Sequence, residues 1–339
     1  MIDGLRQIFN KKSSFVILFF GVLIAVLPIF TQDRFFITIG IYCLLFASFA
    51  VAWNIIGGYG AQVSWCHATF AACGAYTGYL FYHFLGISPL LTMPIGMLIA
   101  YVLATVIGRG TFKLRGVFFA LSTIALAEIF RILLLYFRDF TGGSAGRFIT
   151  YRGNHFYRLS FSNDIPFYYI SLVLLIIVMV VTALFQKTKA GHFLGAIKGD
   201  EDAATTLGIE TFKMKLLAFQ LSAVLTSVIG MVFGFYMTYI DPYSIASLDL
   251  SVQIGMGAIV GGLGTLWGPV LGAFLLQSLT QFTNAMFAHV SGASMMMYAL
   301  VLILVVRFRP QGLITLFTKN EDNIPEMMKR ANRFITRKK

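Results

Sequence analysis

Charge is scarce in this chain of 339 residues: only 12% of its side chains are Asp, Glu, Lys or Arg, whereas 58% are hydrophobic. Soluble domains carry roughly 25% charged residues and about 45 to 50% apolar ones. A soluble globular fold is therefore excluded. The mean hydropathy of +0.80 predicts an all-α polytopic membrane protein, since each membrane-spanning helix satisfies its own backbone hydrogen bonds.

The elements of common catalytic and metal sites are also missing. The three cysteines, Cys43, Cys66 and Cys73, form no Cys-x-x-Cys or Cys/His pattern, which argues against a disulfide framework or a metal site. No Gly-x-x-x-x-Gly-Lys-Ser/Thr, His-Glu-x-x-His or suitably placed Gly-x-Ser-x-Gly motif occurs. We predict no catalytic residues, no cofactor and no metal, so the chain is not expected to be an enzyme.

A helix needs about 20 apolar residues to cross the hydrocarbon layer, and ten runs approach that length. They are 15–31, 35–56, 63–85, 88–108, 117–137, 166–186, 216–239, 248–265, 268–288 and 292–308. The runs 63–85 and 248–265 are interrupted by glycine and polar residues, so each is predicted either to span or to be broken or re-entrant. The first run has no small-residue cleavage site after it and is interpreted as a retained span.

The distribution of basic residues predicts the orientation. With the N-terminus inside, the inner segments are 1–14, 109–116, 187–215 and the tail that follows residue 306, and together they hold 20 of the 26 basic residues, including all twelve lysines. We therefore predict a cytoplasmic N-terminus at 1–14, a transmembrane domain at 15–308 and a basic cytoplasmic tail at 309–339. The net charge of +12 then follows from topology, and no nucleic-acid partner is predicted.

An internal repeat is indicated by two related hexapeptides. Ile-Ile-Gly-Gly-Tyr-Gly at 55–60 returns as Ile-Val-Gly-Gly-Leu-Gly at 259–264, an offset of 204 residues. The same offset carries the first and fourth predicted spans onto predicted spans of the second half. Because two spans separate the halves, 15–108 and 216–308, both copies have the same orientation, which predicts a parallel repeat about the membrane normal.

The repeated glycines have two possible uses. A Gly-rich break either leaves backbone groups free to line a cavity or lets helices pack closely. Gln62, Ser64 and His67 directly follow the first break and favour a lined cavity. The candidate pathway or packing glycines are Gly57, Gly58, Gly60, Gly261, Gly262 and Gly264.

Glu128 stands in the middle of an apolar run, where an unpaired charge costs at least about 2.5 kcal/mol. Arg131 follows three residues later, on the same helix face, so the two side chains can pair. The pair is interpreted either as an ion pair that fixes helix packing or as a contact for substrate in a pathway.

The inner segment 187–215 contains a compact acidic stretch. Asp200, Glu201 and Asp202 predict a helix start and Gly208 predicts its end about two turns later. The exposed middle of this short helix is predicted to be Ala203, Ala204 and Leu207. Small apolar residues of this kind suit insertion into a groove on another protein.

Residues 202–208, Asp-Ala-Ala-Thr-Thr-Leu-Gly, resemble the Glu-Ala-Ala-x-x-x-Gly loop by which bacterial ABC importer permeases dock on their ATPases, with Asp in place of Glu. More widely, the chain resembles LivM-type permeases of branched-chain amino acid importers over roughly 35–318. The matching stretches include NIIGGYGAQVSWCHATFAACGAY, LRGVFFALSTIALAEIFR, TGGSAG, GGLGTLWGPVLGA and RFRPQGL.

The resemblance implies a permease subunit in a bacterial inner membrane. Its expected partners are a second homologous permease, two cytoplasmic ATPases, an extracytoplasmic binding protein and a small-molecule substrate. The chain departs from the family pattern at Trp65 and Cys66 and at Ala145, and related permeases serve urea or short amides. A self-sufficient channel or secondary transporter is the alternative of a different class.

Overall fold

The computed structural model of the chain describes residue 28 and residues 33–151, 153–287, 292–308 and 312–316. Helices account for most of these residues. Their bounds are α1 Arg34–Asn54, α2 His67–Phe84, α3 Pro89–Thr111, α4 Val117–Tyr136, α5 Arg138–Thr141, α6 Ile165–Gln186, α7 Lys189–Gly199, α8 Glu201–Thr206, α9 Thr211–Met237, α10 Pro242–Ile245, α11 Leu248–Gly261, α12 Gly268–Met286 and α13 Ala293–Phe308. A π-helical turn, Ile55–Tyr59, continues α1, and the short strands are β1 Arg147–Phe148 and β2 Tyr239–Ile240.

Six stretches of the described residues are long and apolar enough to cross a membrane, and all six coincide with predicted spans. They are Arg34–Tyr59, Pro89–Thr111, Val117–Tyr136, Ile165–Gln186, Thr211–Met237 and Pro242–Gly261. Two more predicted spans are occupied by α2 and α12, and α13 contains the shorter apolar stretch Met296–Val305. The chain is thus an all-α polytopic membrane protein, while the number of ten spans stays a prediction.

The termini are only partly covered by the structure. The predicted first span, 15–31, lies outside the described residues except for Pro28, as do the N-terminal segment 1–14 and the tail beyond residue 316. The start of α3 at Pro89 and the start of α13 at Ala293 are 204 residues apart, which is the offset of the hexapeptides. The parallel repeat itself stays a prediction.

Both interrupted runs are shorter as helices than the sequence predicted. In the run 63–85 the helix begins only at His67. Residues 60–66 are not helical, and Ala61 among them has a φ of +52°. The run 248–265 ends as a helix at Gly261, since Gly262 has a φ of +130° that no helix accommodates. Non-helical backbone therefore enters the bundle beside each glycine hexapeptide.

The core is centred on α9, which packs along α2 and α3. Two glycines make the α2 contact close: a Cβ at Gly74 would overlap the carbonyl oxygen of Ser227, and one at Gly230 would overlap the backbone of Ala71. Small residues at a crossing let helix backbones approach, which is the main source of packing energy in a bilayer.

By contrast, α4 lies at the edge of the bundle. Its buried side chains, Phe119, Thr123 and Ala127, are four residues apart and form one narrow stripe. Its exposed apolar side chains include Val117, Phe118, Leu121, Ile129, Ile132 and Leu133. In a membrane these faces are stable against lipid or against another membrane subunit.

A short ribbon closes one end of the bundle. Strands β1 and β2 pair antiparallel, with Arg147 opposite Ile240 and Phe148 opposite Tyr239. The ribbon joins the loop after α4 to the end of α9. Because α9 begins within segment 187–215 and crosses the bundle to Met237, the ribbon and this segment lie at opposite ends.

Candidate functional site

The first glycine hexapeptide forms the π-helical turn at the end of α1. Its glycines make room for neighbouring groups: a Cβ at Gly57 would overlap the indole of Trp53, and one at Gly58 would overlap the amide oxygen of Asn54 and lie 2.6 Å from the backbone nitrogen of Gly264. Gly60 keeps a right-handed backbone, with φ −84°. This turn therefore needs glycine for close contact.

The second hexapeptide ends α11 and turns toward α12. Gly262 and Gly264 have φ values of +130° and +76°, which L-residues with side chains rarely adopt. A Cβ at Gly261 would overlap the carbonyl oxygen of Gly268 at the start of α12. Here glycine is needed both for backbone conformation and for contact.

The two hexapeptides touch each other, and we name this contact the glycine junction: Gly57–Gly60 and Gly261–Gly264 with the side chains of Asn54 and Lys198. The Asn54 amide nitrogen donates to the carbonyl of Thr265 at 2.8 Å, and its amide oxygen accepts from the backbone nitrogen of Gly264 at 3.0 Å. The ammonium of Lys198 donates to the carbonyl of Gly58 at 2.8 Å. The junction is thus cross-linked by side chains from α1 and α7.

The polar residues that follow the first break lie in the packed core. Ser64 and His67 are fully buried. The Trp53 indole donates to the carbonyl of Ser64 at 2.7 Å, and His67 Nε2 lies 2.8 Å from the hydroxyl of Ser222. Because that hydroxyl donates to the carbonyl of Ala52, Nε2 is the donor to it.

Gln62 remains half-buried in the same non-helical stretch. The hydrogen bonds of Ser64 and His67 fix this stretch against α1 and α9. A pathway role for these residues stays a prediction and requires the surrounding helices to separate.

The acidic stretch forms the short helix that the sequence predicted. Asp200 caps α8, its carboxylate accepting from the backbone nitrogens of Asp202 at 2.9 Å and Ala203 at 3.0 Å. Gly208 lies just beyond the helix end with φ +83°. The predicted start and stop of this helix are confirmed.

One part of the predicted exposed face is wrong. Ala204 is only 2% exposed, because it lies on the side of α8 that faces the protein. Ala203 is exposed, and Leu207 is 82% exposed. The outward apolar surface of α8 therefore consists of Ala203 and Leu207 without Ala204.

Two ion pairs hold α8 against the bundle. The Arg115 guanidinium contacts both carboxylate oxygens of Asp202, at 2.8 and 3.2 Å, and this hydrogen bonding lowers the pKa of Asp202. The Lys215 ammonium lies 2.6 Å from the Glu201 carboxylate, and the Lys215 side chain is only 2% exposed. A buried lysine that loses its partner is strongly destabilising, so the second pair is the stronger constraint on the position of α8.

Glu128 and Arg131 form the ion pair that their spacing predicted. Arg131 donates to both carboxylate oxygens of Glu128, from Nε at 3.0 Å and also from its terminal nitrogen. The guanidinium also lies over the ring of Tyr243 in α10, 5.0 Å from its centroid. The side chains of Glu128 and Arg131 are 45% and 22% exposed, so this charged face of α4 stands at the edge of the bundle.

The sequence analysis missed four residues of the site: Asn54, Arg115, Lys198 and Lys215. An amide in an otherwise apolar run directly before the glycines is a signal that identifies Asn54 in principle. The three basic residues were interpreted only as markers of topology. Which carboxylate or carbonyl each one meets depends on tertiary structure.

Taken together, an apolar helical bundle with broken helices and a clamped helix at one end defines a multi-pass membrane protein. Comparison with protein families identifies the family to which it belongs. The family described as branched-chain amino acid transport system, permease component, matches residues 34–306, and the chain belongs to this family.

Individual relatives agree with that assignment. The chain is 27% identical to the high-affinity branched-chain amino acid transport system permease protein LivM of Escherichia coli K12, over 84% of this chain and 71% of LivM. LivM of Salmonella typhimurium LT2 is also 27% identical, over 86% of this chain and 72% of its own length. The xylose transport system permease protein XylH of Haemophilus influenzae is 32% identical, but over only 36% of this chain and 33% of XylH. No solved structure matches the chain.

Proposed function

We propose that the chain is the permease subunit of a binding-protein-dependent ABC importer and translocates branched-chain or related amino acids. The observation that carries the proposal is α8, a capped helix that presents Ala203 and Leu207 outward and is clamped by Arg115 and Lys215. A helix held in this way can transmit force from a partner to the bundle. The sequence contains no Gly-x-x-x-x-Gly-Lys-Ser/Thr motif, which supports the proposal that separate subunits hydrolyse the ATP.

The proposed complex contains a second homologous permease, two cytoplasmic ATPases and an extracytoplasmic binding protein. The loop 138–165 lies at the end of the bundle opposite α8 and is the proposed surface for the binding protein. We place both termini and α8 on the cytoplasmic side of a bacterial inner membrane. Single cysteines at positions 200 and 150 test this orientation, since accessibility of position 200 to an impermeant reagent from outside contradicts it.

Branched-chain amino acids are favoured as substrates because the relatives named for that transport match most of the chain, whereas the xylose permease matches about a third. Reconstitution of the permeases and ATPases in liposomes, with the binding protein outside, provides the test. ATP-dependent uptake of labelled leucine, isoleucine or valine supports the proposal. Uptake of urea, short amides or xylose in their place assigns another substrate, and ATP-independent uptake by the permease alone indicates a channel or secondary transporter.

The docking role of α8 has its own test. Ala203→Trp enlarges the outward surface of α8 and is expected to prevent docking by overpacking, with loss of ATPase co-purification and of uptake. Ala196→Trp, at an exposed position of α7, is the matched control. If the Ala203 variant keeps its ATPases and full uptake, α8 is not the docking element.

For Glu128 we propose a packing role together with Arg131. Glu128→Gln leaves the guanidinium without its anionic partner at membrane depth and is expected to lower the thermal unfolding midpoint and the yield of the assembled complex. Normal assembly and stability combined with lost uptake would contradict this and assign Glu128 to the pathway.

A further inference from the structure

Lys198 is the feature that the proposed function leaves unexplained. It lies in α7 next to α8, and its ammonium reaches the carbonyl of Gly58 at 2.8 Å. The residue as a whole is exposed, while burial of its ammonium end lowers its pKa. A lysine that gives up part of its hydration for a backbone carbonyl needs a compensating interaction.

The end of α1 supplies that interaction. The last carbonyls of a helix have no partner within the helix and carry its partial negative charge. Gly58 belongs to the π turn that ends α1, so the ammonium neutralises this end. The bond is charge-assisted and is therefore among the stronger hydrogen bonds available to a carbonyl.

The same ammonium also lies against the second hexapeptide. A Cβ at Gly264 would be 2.8 Å from Lys198 Nζ and 3.2 Å from the carbonyl oxygen of Gly58. Lys198 is thus positioned over the point where the two glycine breaks meet. A movement of the Gly58 carbonyl relative to α7 has to stretch or release the hydrogen bond from Lys198.

Lys198 is also connected directly to α8. Only Gly199 separates it from Asp200, the residue that caps α8. Leu194 and Ile197 of α7 are buried against the bundle, and α7 contacts both α9 and the π turn. A displacement of α8 is therefore transmitted to the Lys198 side chain over a very short stretch of backbone.

We propose that Lys198 is a positioning residue that couples movement of α8 to the glycine junction, holding the Gly58 carbonyl in one state of the transport cycle and releasing it in another. This inference rests on the proposed function of α8 as the docking element. In this proposal Lys198 acts through the Gly58 carbonyl.

The test compares Lys198→Met, Lys198→Arg and the control Lys189→Met in the reconstituted complex. Lys189 is an exposed lysine of the same helix. The measured quantity is substrate imported per ATP hydrolysed. We expect Lys198→Met to lower this ratio about tenfold, the effect of losing one charge-assisted hydrogen bond, while the ATPases stay bound. Lys198→Arg, which can still donate, is expected to restore most of the ratio, and Lys189→Met to leave it unchanged.

A native cysteine provides a second readout that does not require the substrate to be known. Cys66 is fully buried in the non-helical stretch that follows the first break. With Cys43 and Cys73 replaced by alanine, its reaction with a small methanethiosulfonate reagent reports opening of the stretch that leads from the junction to α2. We expect the labelling rate to depend on ATP when Lys198 is present and to become independent of ATP in Lys198→Met.

Each outcome decides the inference. An unchanged import ratio with ATP-dependent labelling of Cys66 in Lys198→Met overturns it. Loss of the ATPases from the Lys198→Met complex also overturns it, because Lys198 would then act in docking. If the complex with the native Lys198 imports no substrate, it is the proposed function that fails.

Discussion

The two glycine hexapeptides have nearly the same sequence but different conformations. The first stays helical through a π turn, and Gly60 has a φ of −84°. The second leaves the helix at Gly262, whose φ is +130°. In the first, glycine gives space to the neighbouring side chains and to the second hexapeptide. In the second, glycine also permits backbone dihedrals that other residues rarely adopt.

This difference shows that two similar hexapeptides can meet different structural requirements. The first hexapeptide leads into the non-helical stretch 60–66 before α2 begins, whereas the second reaches α12 through residues 262–267. At the offset of 204 residues between the hexapeptides, the position that corresponds to Asn54 is Ala258, which has no amide side chain. The amide that joins the two breaks therefore comes from the α1 side only.

Gly58→Ala is expected to have the largest effect, because its Cβ would overlap Asn54 and crowd the backbone of Gly264 at 2.6 Å. Relief requires the two hexapeptides to move apart. We expect the free energy of unfolding to fall by about 3 kcal/mol, which is at the upper end of the cost of overpacking. The loss is measured as a lower thermal unfolding midpoint and is accompanied by loss of import.

Gly110→Ala is the matched control, since a Cβ at Gly110 meets nothing within 4 Å. It is expected to leave stability unchanged or slightly higher. Equal effects of the Gly58 and Gly110 variants would show that the first break does not depend on close contact.

Gly262→Ala tests the conformational requirement of the second break. A side chain at φ +130° is expected to cost about 2 kcal/mol through backbone strain. Thermal unfolding of the purified protein measures the loss. A wild-type midpoint in this variant would mean that α11 can end with ordinary dihedrals, and the contrast between the two breaks would disappear.

Asn54→Ala removes the connection between the breaks. The backbone nitrogen of Gly264 and the carbonyl of Thr265 both lose their partner, which is expected to cost about 2 kcal/mol. Asn54→Asp keeps an acceptor for Gly264 but turns a carboxylate oxygen toward the Thr265 carbonyl at a fully buried position, so it should be at least as destabilising as the alanine variant. An alanine variant as stable as the native protein would show that water replaces the amide and that the breaks are held by Lys198 and packing alone.

Sequence reasoning was most successful where a feature depends on local composition. Apolar length predicted the six stretches that are long and apolar enough to cross a membrane. The acidic cap and Gly208 predicted α8, because capping involves residues within one or two turns of each other. The pair of Glu128 and Arg131 followed from helical spacing for the same reason.

Features that depend on tertiary contacts were not predictable in this way. Ala204 was predicted to be outward because neighbouring small residues look alike in sequence, and only the docking of α8 on the bundle decides which one is buried. Similarly, Lys198 and Gly58 are 140 residues apart in the chain, and no local pattern connects them.

Gly208 offers the smallest and cleanest comparison with the glycine breaks. Its φ of +83° resembles the +76° of Gly264, but a Cβ at Gly208 meets nothing within 4 Å. Substitution there changes backbone strain alone.

Gly208→Asn should be nearly neutral, while Gly208→Val should destabilise the end of α8 by about 1 kcal/mol, since a β-branched residue is disfavoured in the left-handed region. This corresponds to a roughly fivefold larger population of the locally opened state, measurable as the rate of trypsin cleavage after Lys213. Equal cleavage rates for the two variants would show that the segment does not need a left-handed residue, and that the strain inferred at Gly264 has to be separated from its contact with Lys198.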